Sequence, residues 1–247
     1  MSEKVLVGVI TYEGEKRCRK LFFDYLSQLT YPDVEFVIVT NSGEGDKKDL
    51  EEHIQRIGIP ATILVNDVEA KEMFDHLVNN RNIIREHFLK TDKEWLYFID
   101  SDCLGPADAI EVSLSHKKNL VTGFYLGHFQ HPETKKWRVL PVAYLYSEET
   151  GNMQLSMVDV LQPRFTKISA AGLGCCLIHR SILEKISFRR TTATEDFPFF
   201  EDARKKLGEH LWIDTRIKFK HLKYALDDER NKWLNPDNYQ MNIKKKE

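Results

Sequence analysis

Cysteine is scarce in this chain, and its few copies form no recognisable binding pattern. Four cysteines occur among 247 residues, at Cys18, Cys103, Cys175 and Cys176. Their spacing matches neither a zinc site nor a disulfide framework, so we expect neither. Cys175 and Cys176 are adjacent, and because free cysteine is commonly buried, we interpret them as small core residues of one strand.

Long apolar runs and a surplus of one charge are also missing. No apolar stretch approaches the roughly 20 residues that span a bilayer, and residues 1–4 lead directly into a strand-like segment without a signal peptide's apolar core. We therefore expect a cytoplasmic protein without a transmembrane segment. The formal net charge of -2 gives no reason to expect nucleic-acid binding. The basic stretch Lys244–Lys246 is interpreted as a solvated tail, with peripheral contact to anionic lipid as the alternative.

The first half of the sequence alternates strand and helix patterns. Apolar runs predict strands at residues 5–10, 35–39, 61–65, 95–99 and 120–125. Apolar positions at helical spacing and polar stretches between the strands predict helices near 18–29, 46–57, 70–89 and 108–115. This alternation is typical of α/β proteins, so it predicts a parallel or mostly parallel sheet.

The second half is less regular. Residues 127–167 contain a strand-like segment at 137–146 and a turn at 148–152, and we expect them to shape the pocket of a second substrate. The pattern then predicts a buried strand at 175–178, helices at 180–186 and 194–207, and strand pieces at 211–214 and 217–219. Gly208 is the expected stop of the last helix. Close backbone approach or a positive φ would explain Gly172 and Gly174 before the buried strand.

The most informative segment is 95–102, where five large apolar residues are followed by Asp100 and Asp102. Such a run suits a strand buried on both faces, and ligands of open α/β sheets bind beyond the carboxyl ends of such strands. Two carboxylates there need a cation or hydrogen-bond donors, and oxygen-rich metal sites often hold phosphates. The segment therefore predicts a metal–nucleotide enzyme. The alternative is a strand-end turn whose acids cap the next segment.

Arg81 lies on the apolar stripe of the helix predicted at 70–89, where an unpaired arginine is costly. Two interpretations are equally open from the spacing alone. The aliphatic stem packs while the guanidinium reaches the protein edge, or the guanidinium reaches an anionic ligand beyond the sheet.

Four features occur in an order that resembles GT-A glycosyltransferases of the family 2-like type, across nearly the whole chain. They are the first strand with its loop at 7–12, the pair Arg81-Asn82, the Asp-x-Asp pattern of Asp100 and Asp102, and Glu195-Asp196 followed later by His221. The resemblance implies one Rossmann-like nucleotide-diphospho-sugar transferase domain, with helices on both faces of a mostly parallel sheet. Residues 1–125 would bind the nucleotide sugar, 126–221 would bind the acceptor and catalyse transfer, and 222–247 would form a tail.

The resemblance also implies roles for the acids and the histidine. Transfer from a nucleotide-diphosphate sugar builds negative charge on the leaving diphosphate, and a divalent cation stabilises that charge. Asp102 and His221 would hold this cation, and the imidazole nitrogen favours Mn2+ over Mg2+. Asp100 would hold the ribose or a metal-bound water, and Arg81 would lie near the phosphates.

The remaining expected site residues contact the nucleotide or the acceptor. Thr11 and Tyr12 after the first strand, and Asn41 after the second, are assigned to the donor nucleotide; Tyr12 either stacks on a base or packs against the protein. The resemblance implies that Asp196 is the general base, with Glu195 as the second candidate. In-line attack assisted by such a base inverts the anomeric configuration. We therefore expect a metal-dependent inverting glycosyltransferase, with a hexose as the expected sugar.

Residues 194–196 also have a purely structural interpretation, in which Thr194 is the N-cap of a helix and the acids occupy its first turn.

Other features leave the substrates and two alternative functions open. The loop at 40–42 lacks the acid that often helps to read the base in this family, so uridine and guanosine donors both fit. The sequence names neither the sugar nor a glycan, lipid or protein acceptor. A sugar-phosphate nucleotidyltransferase usually has a glycine-rich basic loop after the first strand, whereas this loop has only Gly14 with Lys16 and Arg17. A non-catalytic nucleotide-sugar-binding protein is the other alternative.

Overall fold

Strands and helices alternate through the chain in the computed structural model, which describes residues 3–68, 70, 72–147, 151–191 and 194–239. The tail at 244–246 and positions 148–150 of the expected turn lie outside the described residues. The strands are β1 Val5–Thr11, β2 Glu35–Thr40, β3 Ala61–Val65, β4 Trp95–Asp100, β5 Cys103–Leu104, β6 Leu120–Gln130, β7 Trp137–Pro141, β8 Ala143–Ser147, β9 Gly151–Gln154, β10 Phe165–Ile168, β11 Ala170–Ala171, β12 Cys175–His179 and β13 Leu211–His221.

Helices connect most of these strands. They are α1 Lys16–Leu26, α2 Gly43–Ile57, α3 Met73–Leu89, α4 Ala109–Ser115, α5 Met157–Leu161, α6 Arg180–Leu183, α7 Asp196–Leu207 and α8 Arg230–Trp233, with 3-10 turns at Glu13–Glu15 and Pro236–Asn238. No helix in the described part of the chain is long and apolar enough to cross a membrane.

The central sheet is mixed but mostly parallel, as the alternation predicts. Its strand order is β10-β13-β6-β12-β4-β1-β2-β3, with β5 added beside β13 and β7 beside β6. Strand β12 runs antiparallel to both of its neighbours, β4 and β6, so β1, β2, β3, β4, β6 and β13 share one direction. A second sheet of three short strands has the order β11-β8-β9.

The sheet is covered by helices on both faces. Alternate residues of β1 enter two separate apolar clusters: Val5, Val7 and Val9 pack with residues of α1, α2 and α4, and Leu6 and Ile10 pack with residues of α3, α6 and α7. This division follows from strand geometry, because successive side chains point to opposite faces. The carboxyl ends of the parallel strands are left open between the two helical layers.

Several boundaries differ from the sequence expectation. Helix α3 begins at Met73 rather than near residue 70, and β6 continues to Gln130 rather than ending near 125. The strand predicted at 137–146 divides into β7, which pairs with β6, and β8, which belongs to the small sheet. The division occurs at Pro141, which has no N–H to continue a ladder. Gly208 ends α7 with φ of 71°, as predicted.

Candidate functional site

A cleft of about 400 Å³ lies beyond the carboxyl ends of β1 and β4, and we call it the acid cleft. Seven residues predicted for the site line it: Thr11, Tyr12, Arg81, Asp100, Asp102, Asp196 and His221. These residues meet because Ile10 of β1 pairs with Asp100 of β4, and Cys103 of β5 pairs with His221 of β13. The predicted nucleotide residue Asn41 follows β2 and is not among the lining residues.

Asp102 and His221 face each other in the acid cleft. The Nε2 of His221 is 3.0 Å from Oδ2 of Asp102, and its Nδ1 is 3.0 Å from the carbonyl oxygen of Leu126. Because a carbonyl only accepts hydrogen bonds, Nδ1 carries a proton and holds the ring so that Nε2 faces Asp102. Without a cation Nε2 donates a second proton to that carboxylate, and a bound cation would replace this proton. A carboxylate oxygen and an imidazole nitrogen this close fit a divalent cation held between them.

The charges of this pair stabilise each other. Burial alone would raise the pKa of Asp102, but the neighbouring His221 outweighs burial and lowers that pKa below its ordinary value. Burial likewise disfavours the His221 imidazolium, and the charge of Asp102 reverses this, so the pKa of His221 is raised. Cys103 lies within 4.8 Å of both groups. Burial and the charge of Asp102 raise the pKa of its thiol well above the usual range, so Cys103 is a neutral thiol in the metal-free protein.

Arg81 is buried and directed into the acid cleft. Its Nη2 donates to Oδ1 of Asp100 at 2.6 Å, its Nε lies 3.6 Å from Oε1 of Glu195, and its guanidinium stacks 4.6 Å from the ring centre of Phe98. Arg81 is only 2% exposed, so of the two sequence interpretations the one in which its guanidinium reaches the protein edge is wrong. Its Nε and Nη1 have no hydrogen-bond partner in the described parts of the chain. Unpaired buried donors are costly, and an anionic ligand would satisfy them.

The neighbour of Arg81 has a different role. Asn82 donates to the carbonyl of Phe188 at 2.8 Å and accepts from its N–H at 2.9 Å. Asn82 therefore ties α3 to the segment before α7 and does not line the acid cleft.

Two adjacent acids at the start of α7 occupy different environments. Glu195 is 4% exposed beside Arg81, whereas Asp196 is partly exposed to the cleft. Burial raises the pKa of Asp196, although hydrogen bonds from Thr194 and from the N–H of Phe197 oppose this effect. The predicted N-cap role of Thr194 is wrong, because α7 begins at Asp196 after Glu195, and the Thr194 hydroxyl donates to the side chain of Asp196.

The turn Glu13–Glu15 and the start of α1 contribute a charged pair that the sequence patterns did not single out. Arg17 donates to the carbonyls of Leu222 at 2.9 Å and Tyr224 at 3.2 Å, directly after His221. Its Nη2 is also 3.0 Å from Oε2 of Glu15 and 3.9 Å from Oδ2 of Asp102. Burial and the charge of Asp102 raise the pKa of Glu15. Arg17 thus holds the segment after β13 against the start of α1.

A second cluster that the sequence patterns did not single out holds the backbone of the loop after β1. Asp46 of α2 accepts from Arg19 at 2.8 Å and from the Thr40 hydroxyl at 2.6 Å, and Arg19 also donates to the carbonyl of Tyr12 at 3.3 Å. This cluster fixes the backbone before Glu13 and leaves the Tyr12 side chain 49% exposed at the cleft. In the sequence, Asp46 is one charged residue among many in the polar helix α2, so nothing in the pattern marks it.

The glycines before β12 serve close packing, one of the two explanations predicted. A Cβ on Gly174 would lie 2.6 Å from Oδ2 of Asp100, and one on Gly172 would lie 1.8 Å from the hydroxyl oxygen of Tyr125. Neither glycine has a positive φ. Both positions therefore leave room for side chains that line the acid cleft.

Comparison with known proteins shows which architecture this is. The structure is similar to the STIV protein A197 (TM-score 0.51, 18% identity, 96% of this chain and 92% of that chain). It is also similar to the mannosyltransferase PcManGT from Pyrobaculum calidifontis in complex with GDP-Man and Mn2+ (0.55, 14%, 87% and 57%) and to GalNAc-T7 with UDP, GalNAc and Mn2+ (0.60, 12%, 91% and 44%). The chain has the GT-A fold.

The GT-A fold confirms the fold class predicted from the sequence. The sequence itself matches no protein-family model and no curated protein. The chain spans 57% of the length of PcManGT and 44% of that of GalNAc-T7, so these two GT-A structures contain segments that have no counterpart here.

Proposed function

We propose that this protein is a metal-dependent inverting glycosyltransferase, which moves a sugar, expected to be a hexose, from a nucleotide-diphosphate donor to an acceptor hydroxyl. The observation that carries the proposal is the 3.0 Å approach of Asp102 and His221 in the same cleft as Asp196. The similar structures that contain GDP-Man or UDP together with Mn2+ support a nucleotide-sugar donor and a divalent cation.

Asp102 and His221 are the proposed ligands of that cation, Mn2+ or Mg2+. When bound, the cation neutralises the negative charge that builds on the diphosphate leaving group. One carboxylate and one imidazole leave positions for diphosphate oxygens and waters, as is usual where such cations serve nucleotides. The imidazole ligand favours Mn2+.

Asp100, Arg81, Thr11 and Tyr12 are the proposed donor contacts. Oδ1 of Asp100 accepts from Arg81, and its Oδ2 accepts no hydrogen bond from the described residues, so it is free to bind a ribose hydroxyl or a water. The unpaired N–H groups of Arg81 support an anion in the cleft. The exposed ring of Tyr12 offers a stacking surface for a base, and Thr11 ends β1 beside it.

Asp196 is the proposed general base. Its raised pKa and partial exposure suit a carboxylate that takes a proton from an acceptor hydroxyl. The acceptor oxygen then attacks the anomeric carbon from the side opposite the diphosphate, which inverts the configuration. Glu195 suits this role less, because it is buried beside Arg81. In this scheme residues 1–125 form the donor half and 126–221 the acceptor half.

One screen separates this proposal from its alternatives. Nucleotide sugars are tested with and without Mn2+ for thermal stabilisation and for release of nucleoside diphosphate in the presence of varied acceptors. We expect Mn2+-dependent stabilisation by one donor and release of its diphosphate. Thermal stabilisation by a donor that is neither transferred nor slowly hydrolysed would favour a binding protein. A reaction that depends on pyrophosphate would favour a nucleotidyltransferase.

A further inference from the structure

A second cleft of about 530 Å³ lies beside β13, and we call it the basic cleft. Arg216, Lys218 and Lys220 project into it from β13, and Asp237 is the one acid among its lining residues. The basic cleft and the acid cleft share no lining residue. It is therefore a separate site, although Lys220 directly precedes His221 in the chain.

The positive charge of the basic cleft is not neutralised internally. Arg216 is paired with Asp214 at 2.6 Å, but the ammonium groups of Lys218 and Lys220 make no ion pair, hydrogen bond or ring contact with any described residue. Both lysines are nevertheless partly buried. Two unpaired ammonium groups on the same face of β13 concentrate positive charge in the basic cleft, which favours an anion between them.

The walls of the basic cleft indicate what accompanies that anion. Leu104, Pro106, Leu161 and Pro163 form apolar surface next to the lysines. Asn235 adds polarity: its Oδ1 accepts from the N–H of Asp237 at 3.1 Å, and its amide nitrogen has no acceptor among the described residues. Two ammonium groups, one amide donor and apolar walls suit an organic phosphate better than a bare inorganic ion.

We propose that the basic cleft binds a phosphate-bearing organic ligand, with Lys218 and Lys220 contacting the phosphate. This inference goes beyond the glycosyl transfer proposed above and does not depend on it. A soluble sugar or glycerol phosphate and a phospholipid headgroup share this chemistry, and the experiment distinguishes these two sources.

The soluble arm measures the affinity of glycerol 3-phosphate by calorimetry in EDTA, so that no metal-bound phosphate contributes at the acid cleft. Wild-type protein is compared with Lys218→Gln/Lys220→Gln and with Lys47→Gln/Lys48→Gln, which removes the same charge from α2. We expect at least a tenfold loss of affinity in the first variant and none in the second. Asp237→Asn should tighten binding severalfold, because it removes the opposing charge.

The lipid arm measures sedimentation of the same proteins with phosphatidylcholine vesicles that contain or lack phosphatidic acid. Binding that requires phosphatidic acid and is lost in Lys218→Gln/Lys220→Gln identifies a headgroup, whereas binding in the soluble arm alone identifies a free organic phosphate. The proposal is overturned if the wild type binds in neither arm, or if the two double variants bind equally well.

Discussion

Oδ2 of Asp102 and Nε2 of His221 lie 3.0 Å apart, although 119 positions separate the residues in the sequence. The pairing of Cys103 with His221 in the sheet holds the two side chains together, and the carbonyl of Leu126 fixes the orientation of the imidazole. Asp102 and His221 do not belong to one local element, so they come together only when β5 pairs with β13 in the folded protein. This relationship is the basis of the proposed metal site.

Asp102→Asn should weaken Mn2+ binding at least tenfold, since even a group that only supports a metal ligand typically contributes tenfold or more. The donor should lose its metal-dependent affinity to the same extent, and circular dichroism in EDTA should show that the fold is retained. Calorimetric titration with Mn2+ measures the first effect. Asp108→Asn, an exposed acid six residues later, is the matched control. Unchanged Mn2+ affinity in Asp102→Asn would rule out the proposed ligand.

Asp196→Asn should reduce the turnover number by about 10²–10⁴-fold, the usual contribution of a general base, and should leave the donor dissociation constant unchanged. Transfer assays and donor titration on the same preparation separate the two effects. Glu201→Gln serves as the control, because Glu201 lies on the same helix α7 and forms an exposed pair with Lys205. If Asp196→Asn transfers at a near-normal rate, the base lies elsewhere.

Arg81→Met should destabilise the fold by about 3–5 kcal/mol, the usual effect of removing one member of a buried ion pair. The substitution leaves Asp100 and the buried Glu195 without their shared cation. Urea unfolding measures the loss. Arg56→Met breaks the exposed pair with Asp24 and should cost only about 0–1 kcal/mol. Equal effects of the two substitutions would contradict the structural importance of Arg81.

The parts of the site that were predictable are those with a regular local pattern. Trp95–Asp100 is an apolar run that ends in acids, which indicates both a buried strand and its ligand-facing end. Arg81 stands out because a cation interrupts an apolar helical stripe. These signals depend on periodicity and on the cost of buried charge, and both can be read from a single sequence.

The rest of the site depends on contacts that no local pattern encodes. Arg17 binds carbonyls more than 200 positions away, and Asp46 supports the first loop from a polar helix. A charged residue in a loop or on an exposed helix looks the same whether or not it has such a partner. Asn41 is expected in the site because it follows β2, but it does not line the acid cleft. The position of a residue after a strand predicts which edge of the sheet it lies at, but not whether its side chain faces the cleft.

The last prediction concerns Glu195 and the pH dependence of stability. Burial raises the pKa of Glu195 from 4.5 to about 7, although Arg81 opposes the change. The folded protein therefore holds a proton that the unfolded chain releases between these two values. The stability that this proton contributes is complete below about pH 4.5 and is lost as the pH rises through about 7.

Glu195→Gln removes the titration, so the free energy of unfolding of the wild type should fall relative to this variant between pH 5 and pH 8. Urea unfolding of metal-free protein at both pH values measures the difference, and Glu201→Gln should show no such change. Parallel pH profiles for wild type and Glu195→Gln would mean that Glu195 is already ionised at pH 5 and is held as a carboxylate by Arg81.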